Sequence, residues 1–321
     1  MPKSPNPSPD SRAVAASMPA DNIVAGALEK SARLPPAFVR HFRASVRSQK
    51  RLWAVLLDRL TGRGFFPTQV IAAEDLNEGM TFILPGIEAS GPYPEFIRDA
   101  LSAAGMAGAK EIFYWGMPMP EGYLPNLMWL KRNKSKAAEL CSRIMAYQDS
   151  YPGRPVHIVA NSGGAGPAIF AIEMLPPERC VASLVLLGGA VSDQYDLRPV
   201  LRRTRRGVLN CHSQRDGGIL GLGTLIFGTA DRSHSWSCGF KGFRLPEHLA
   251  DDEAAIADYS KLFQLAWHRG LIDECDHFGF HDFSTAPEFV RKYVAAWMMG
   301  RPESAVGGAD RARFQSESAA V

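Results

Sequence analysis

The chain has 321 residues, enough at about 100–200 residues per domain for one large domain or two small ones with a substantial core. Hydrophobic residues make up 46% and charged residues 21%, which excludes a disordered, collagen-like or coiled-coil chain and fits a soluble globular one. The net charge of +3 is too small a surplus to point to nucleic acid as the main partner.

From the start, Met1 to Ala20 carries five prolines and four serines and lacks the apolar stretch of a signal peptide. Residues 1–30 are therefore expected to form a disordered tail. Over 31–73 a helical extension is predicted. Its apolar positions Val39, Phe42, Val46, Trp53, Leu56, Leu57 and Leu60 fall near helical spacing, with arginines and lysines between them. Such a stripe packs on a core; the alternative is contact with an anionic membrane surface or a partner.

After Gly64 short apolar runs alternate with helical patterns. Met80–Leu84, Glu111–Trp115, Val156–Val159, Leu184–Leu187, Val208–Cys211 and Leu262–Trp267 read as buried strands. Helices are predicted at Tyr93–Ala104, Ser135–Ser150, Ala165–Leu175 and Leu197–Arg206. This alternation predicts an α/β domain over 74–300, a mostly parallel sheet covered by helices on both faces, with chemistry at the carboxyl ends of the strands. A second tail is expected over 301–321. The longest spanning-helix candidate, Gly217 to Ala230, is short and rich in Gly and Thr, so no transmembrane segment is expected. The cysteines Cys141, Cys180, Cys211, Cys238 and Cys275 are odd in number, scattered and without a CxxC pair. They suit a reducing, cytoplasmic compartment better than a disulfide frame or a zinc site.

One segment carries chemistry. Val156-His157-Ile158-Val159-Ala160-Asn161-Ser162-Gly163-Gly164-Ala165-Gly166 joins a strand to a helix through a serine flanked by small residues. A serine on so tight a turn is pushed out above the sheet, and the turn needs near-absent side chains two positions away on each side, here Ala160 and Gly164. Neither GxxxxGK[ST] nor GxGxxG is present, so phosphate cradling is disfavoured. The plain alternative is a glycine-rich packing turn in which Ser162 caps the helix.

This pattern resembles the α/β-hydrolase superfamily over roughly Glu74 to Met299, with Ala160 in place of the first glycine of GxSxG. The resemblance implies an oxyanion loop after an early strand, and Pro85-Gly86-Ile87 stands in that place, with proline where the family has histidine. The backbone N–H groups of Gly163 and Ile87 are the implied oxyanion donors. It also implies the order Ser, acid, His, with the histidine on a loop after the last strand. His281 lies four residues before Thr285-Ala286-Pro287-Glu288, which reads as a capping box opening a helix through Phe289, Val290, Tyr293, Val294 and Trp297. His281 is the leading base and His277 the reserve. Asp216, in the turn after Val208–Cys211, is the leading acid, and Asp193 the rival.

No HExxH or similar spacing suggests a metal, and serine hydrolysis needs no cofactor. Met117, Met119 and Tyr123, in an apolar loop followed by Leu127, Met128 and Trp129, are candidates for a pocket wall around a small-molecule acyl substrate; ordinary core beneath a loop is the alternative. The stretch between Asp216 and His281, with a glycine-rich part at Gly217–Gly228 that suggests mobility, is expected to border that pocket. Arg198, Arg202, Arg203, Arg205 and Arg206 are expected on one helix as a solvated face, or as a recruiter of anionic substrate or membrane; no aromatic interleaves them, as single-stranded nucleic acid would require. The expected activity is a serine hydrolase acting on a carboxylic ester or thioester through an acyl-enzyme on Ser162. The alternatives are a binding protein of the same fold without catalysis and an acyltransferase using the same residues.

Overall fold

Apolar runs without charge cannot leave a face in water, and here they form the middle of the molecule. In the computed structural model, which describes residues 69, 71–89, 92–117 and 122–301, six strands make one all-parallel sheet. They are β1 Met80–Leu84, β2 Ala109–Ile112, β3 Val156–Asn161, β4 Ser183–Leu187, β5 Val208–His212 and β6 Leu262–Ala266. Their order across the sheet is β2-β1-β3-β4-β5-β6. The chain divides into two units, Met1–Val46 and Arg47–Val321, and every described residue lies in the second. The expected tail at 1–30, the helix at Val39–Leu60 and residues 302–321 lie outside the described residues.

Successive side chains on a strand point to opposite faces, so each central strand feeds two apolar layers. Phe82, Leu84, Ile158, Leu184 and Leu186 share one layer with helices α2 (Leu130–Ser150) and α3 (Ala165–Glu173). Ile83, Val159, Val185, Leu187 and Leu209 share the other with α1 (Pro92–Ala103) and with Phe289, Tyr293 and Trp297 of the closing helix. Each wholly buried leucine contributes about 1.5–3 kcal/mol, and truncating one to alanine costs about 2–5 kcal/mol.

Strand β1 lies between β2 and β3. The chain therefore leaves β1 toward one edge, returns after β2, and from β3 onward moves the other way. Right-handed crossovers then put α1 on one face and α2 and α3 on the other. The reversal opens a crevice between the carboxyl ends of β1 and β3, where open parallel sheets bind ligands.

Four expectations are corrected. The second strand is Ala109–Ile112 rather than Glu111–Trp115. Its register is set by Met80 opposite Ala109 and Ile83 opposite Ile112; the Phe113 N–H makes the last bond to β1, on the Ile83 carbonyl, and Tyr114 and Trp115 run on into the loop above. The helix expected at Leu197–Arg206 is only Arg198–Arg202, because Thr204 bridges to Val181 as the chain straightens toward β5. The arginines are accordingly not one basic face. Arg198 pairs with Asp196 and Asp252, Arg202 with Asp258, and Arg203 donates to the Leu175 carbonyl.

The capping box does not form. Thr285 ends a short 3-10 turn, His281–Thr285, and the next helix starts with Ala286 as N-cap and Pro287 at its first position. Proline supplies the helical φ there and has no N–H to satisfy; Glu288 pairs with Arg291 instead. Gly217–Gly223 forms a π-helical turn after Asp216. All five thiols are free, four of them buried. Among the described residues no helix is long and apolar enough to cross a membrane.

Candidate active site

Strand β3 ends at Asn161, and Ser162 turns the chain into a single 3-10 turn, Ser162–Gly164, that runs on into α3. Ser162 has φ 50°, a left-handed conformation that costs a non-glycine residue about 1–3 kcal/mol. The turn tolerates it because its neighbours are small. A Cβ on Gly164 would stand 2.5 Å from the Pro85 carbonyl oxygen and 3.0 Å from the Leu84 Cβ. A Cβ on Gly163 would collide with Ile87 Cγ2, and one on Gly86 would stand 3.1 Å from the Ser162 Cβ. The loop after β1 therefore passes directly over the serine. The Ile87 nitrogen lies 3.5 Å from where a Gly163 Cβ would be, so the two N–H groups expected as oxyanion donors belong to one small space.

That loop lacks the family's histidine, yet it is tethered three times. The Trp115 indole N–H donates to the Pro85 carbonyl at 2.7 Å, and the Gly86 N–H donates to Glu88 Oε1 at 3.0 Å. The Asn126 amide donates to the Ile87 carbonyl at 2.8 Å. Asn126 is wholly buried; it also donates to the Met117 carbonyl and accepts from the Met117 N–H at 2.6 Å. One amide thus joins the loop after β1 to the loop after β2. Sequence reading missed Trp115, Asn126 and Glu88. The signal available was a polar Asn126 inside an otherwise apolar stretch, which must find partners once buried.

The other half of the site comes from the loops after β5 and β6. Asp216 Oδ2 stands 2.6 Å from His281 Nδ1, and His281 Nε2 stands 2.9 Å from Ser162 Oγ. The three side chains are nearly closed off from water, His281 keeping 14% of its side chain exposed and Asp216 6%. The two loops are stitched together. Ser213 Oγ donates across them to the Gly279 carbonyl at 2.6 Å, while within the loop after β6 the Trp267 indole donates to the His277 carbonyl at 2.8 Å. The Arg215 guanidinium lies over both Trp267 and Phe280, at 4.9 and 5.1 Å from the ring centres. Gly279, at φ 86°, is needed twice: a Cβ there would be strained and would press to within 2.8 Å of the Trp267 ring.

Both rivals fall elsewhere. Asp193, buried, forms an ion pair with Arg244 at 2.7 Å and does not meet His281. His277 is a core residue. Its Nδ1 accepts from the Gly279 N–H, its ring stands edge-on to Phe289, and burial pushes its pKa down to about 3, so the ring is neutral.

Beside the serine an apolar cluster gathers Leu127, Ala190 and Leu220, with Ile87 and Phe240 against it. The Ala190 N–H donates to the Ser162 carbonyl at 3.0 Å. Leu220 comes from the π-helical turn and Phe240 from further along the same connection, so the stretch between Asp216 and His281 does reach the site. Of the expected wall residues, Met117 bonds through its backbone to Asn126, Tyr123 opens the helix Tyr123–Met128, and Met119 lies outside the described residues. The arrangement places a hydroxyl, an imidazole and a carboxylate in one hydrogen-bonded line beside the backbone of Gly163 and Ile87 and an apolar cluster. Among the described residues no group of His, Cys, Asp and Glu side chains could hold a metal ion.

No protein-family model matches the sequence, and no curated protein does. Solved structures are similar at low identity. Est1E from Butyrivibrio proteoclasticus is 12% identical, over 72% of this chain and 91% of that one, with a TM-score of 0.38. A cutinase-like protein from Cryptococcus sp. is 12% identical, over 71% and 97%, with a TM-score of 0.38. Dienelactone hydrolase from Anabaena variabilis is 15% identical, over 69% and 86%, with a TM-score of 0.40.

Proposed function

We propose that this chain, whose fold is that of the α/β-hydrolase superfamily, is a serine hydrolase that cleaves a carboxylic ester or thioester through an acyl-enzyme on Ser162. Residues 74–300 form its catalytic domain. The observation that carries this reading is the continuous hydrogen-bonded line from Asp216 Oδ2 through His281 to Ser162 Oγ, at 2.6 and 2.9 Å.

On this reading His281 Nε2 takes the Ser162 proton as Oγ attacks the acyl carbon. Asp216 accepts the Nδ1 proton bond, fixing the tautomer and stabilising the imidazolium without itself becoming protonated. The tetrahedral oxyanion is held by the N–H groups of Gly163 and Ile87, each such donor lowering the barrier by roughly 3 kcal/mol. The imidazolium then gives its proton to the departing alcohol or thiol. Water, deprotonated by the same imidazole, releases the acid. No step calls for a cofactor or metal.

The apolar wall of Leu127, Ala190, Leu220, Ile87 and Phe240 supports an acyl group in that position. The strained φ of Ser162, together with its bond to His281, favours catalysis over the non-catalytic alternative. A fluorophosphonate probe tests the assignment. Labelling of the wild type that disappears in both Ser162→Ala and His281→Ala is expected; equal labelling of Ser162→Ala rules the reading out.

A further inference from the structure

Ser162 stands at the carboxyl end of the sheet, and large apolar side chains lie exposed in the segments that leave that end. Among the described residues, Leu124, Met128, Trp129, Phe227 and Phe280 are large apolar side chains left exposed; outside this group only Met174 and Ile256 share that status. Those five all belong to segments that follow the carboxyl ends of β2, β5 and β6. Exposed apolar groups scattered singly mean little, but five in the segments that leave the same ends of the strands, Trp129 at 54% and Phe280 at 51%, suit a contact surface.

The helix Tyr123–Met128 explains how the exposure arises. Its inner positions Asn126 and Leu127 are buried, one clamping the loop over Ser162 and the other lining the apolar wall. Leu124 and Met128, four residues apart, share the outer side, and Trp129 follows at its end. The chain then turns basic. Lys131, Arg132, Lys134 and Lys136 follow within eight residues, and no carboxylate occurs from Gly122 to Ala138. Lys131 and Lys134 are exposed. Cations accompany the other aromatics of this end too: the Arg215 guanidinium lies over Phe280, and the Lys241 ammonium 4.6 Å from the centre of Trp236.

We propose that this end of the molecule docks on an anionic phospholipid surface. Indole, thioether and leucine side chains enter the boundary between head groups and acyl chains, while lysines lie along it with their charges at the lipid phosphates. A second copy of this chain fits the same patch poorly, because two such faces would bring cations against cations. Docked in this way, the mouth over Ser162 faces the lipid. The proposal concerns binding and goes beyond the hydrolytic reading; it holds whether or not Ser162 turns over.

The test is co-sedimentation of the full-length protein with vesicles of phosphatidylglycerol and phosphatidylcholine, against phosphatidylcholine alone. Binding only to the anionic vesicles, weakened by added salt, is expected for the wild type and equally for Ser162→Ala. At about 1 kcal/mol per surface lysine, Lys131→Gln with Lys134→Gln should bind roughly thirtyfold more weakly. Met128→Ser with Trp129→Ser should lose about tenfold or more. The lysine pair lies at exposed positions of α2, so its variant tests the proposal even where the apolar variant fails to fold. Three results overturn it: no wild-type binding to anionic vesicles, unchanged binding in the lysine variant, or a dimer of the wild type that dissociates on the apolar substitutions.

Discussion

The two halves of the candidate site are built by different means. The serine and the loop above it stand on β1 and β3, adjacent strands at the centre of the sheet, and are shaped by backbone: a left-handed Ser162, glycines that allow near-contact, and amide clamps on carbonyls. The acid and base arrive on loops after β5 and β6, 65 residues apart in sequence, and are held together by side chains: Ser213, Trp267 and Arg215. The first half is set by close backbone approach and amide clamps, whereas the second is held by side-chain contacts between two distant loops. Substitutions in the first half should therefore act on the chemistry, and those around the second half on chemistry and stability together.

The largest effect expected is at the nucleophile. Ser162→Ala should lower kcat on the order of a millionfold while leaving the thermal midpoint unchanged or raised, since alanine relieves none of the packing and loses only one hydroxyl. A loss below about tenfold would break the comparison at its root. Next comes the acid. Asp216→Asn should cost about ten-thousandfold in kcat, because an amide holds the imidazole in the wrong tautomer. Its former rival supplies the contrast. Asp193→Asn leaves Arg244 without its buried carboxylate, so it should lower stability and leave the kcat of the folded fraction close to wild type.

Asn126 sharpens the distinction within the first half. Asn126→Ala removes the clamp between the loops after β1 and β2. Since the Ile87 N–H is then free to drift from its place beside Gly163, kcat should fall roughly ten- to a hundredfold with KM little changed, less than the full loss of an oxyanion donor. Affinity for a boronic acid, which forms a tetrahedral adduct on the serine, should fall in parallel. A variant that loses stability but keeps both kcat and boronate affinity would make Asn126 a packing residue only.

The same division explains what could be read from the sequence. The β3 strand, the small residues around Ser162 and the order of strand and helix follow from contiguous residues, and their geometry matches. Asp216 was also reachable, because it lies in a polar turn just past an apolar strand, and His281 through the resemblance, which implies a histidine on the loop ahead of the closing helix. The stitches were not. Arg215 over Trp267, Ser213 on Gly279 and Trp115 on Pro85 each join residues 30 or more apart, and a single sequence contains no pattern for such pairs. Local signals also misled where tertiary geometry won. Thr285 and Glu288 have capping-box spacing, but Pro287 starts the helix from Ala286. The apolar run ending at Trp115 overshoots its strand because Trp115 is needed in the loop to hold Pro85.

Weaker effects are expected from the stitches of the second half. A cation held over aromatic rings at an exposed site contributes about 0.5–1 kcal/mol. Arg215→Ala should therefore lower the thermal midpoint by about 1–4 °C and kcat by only a few-fold. Arg215→Lys should recover part of both, since an ammonium keeps the charge without the flat stacking surface. If Arg215→Ala instead matched Asp216→Asn in kcat, the loops after β5 and β6 would depend on a single contact.

The smallest expected effect is a dependence on pH, and in the second half it comes from His277. His277 has an ordinary pKa of 6.5 that burial lowers to about 3 in the folded chain. Above about pH 6.5 the ring is neutral folded or unfolded, and its contribution is fully present. As pH falls from there toward about 3, the unfolded chain takes up a proton that the folded chain refuses, so stability is lost through that window, at most about 1.4 kcal/mol per pH unit for one group. His157 and His212, each lowered to about 4 mainly by burial, act with the same sign. His277→Gln keeps an acceptor for the Gly279 N–H and removes the titration. Its urea midpoint should fall less steeply than that of the wild type between pH 7 and pH 5, without becoming flat. Parallel curves for the two proteins would mean that His277 takes up its proton as readily folded as unfolded, and that its packing against Phe289 does not exclude the charge.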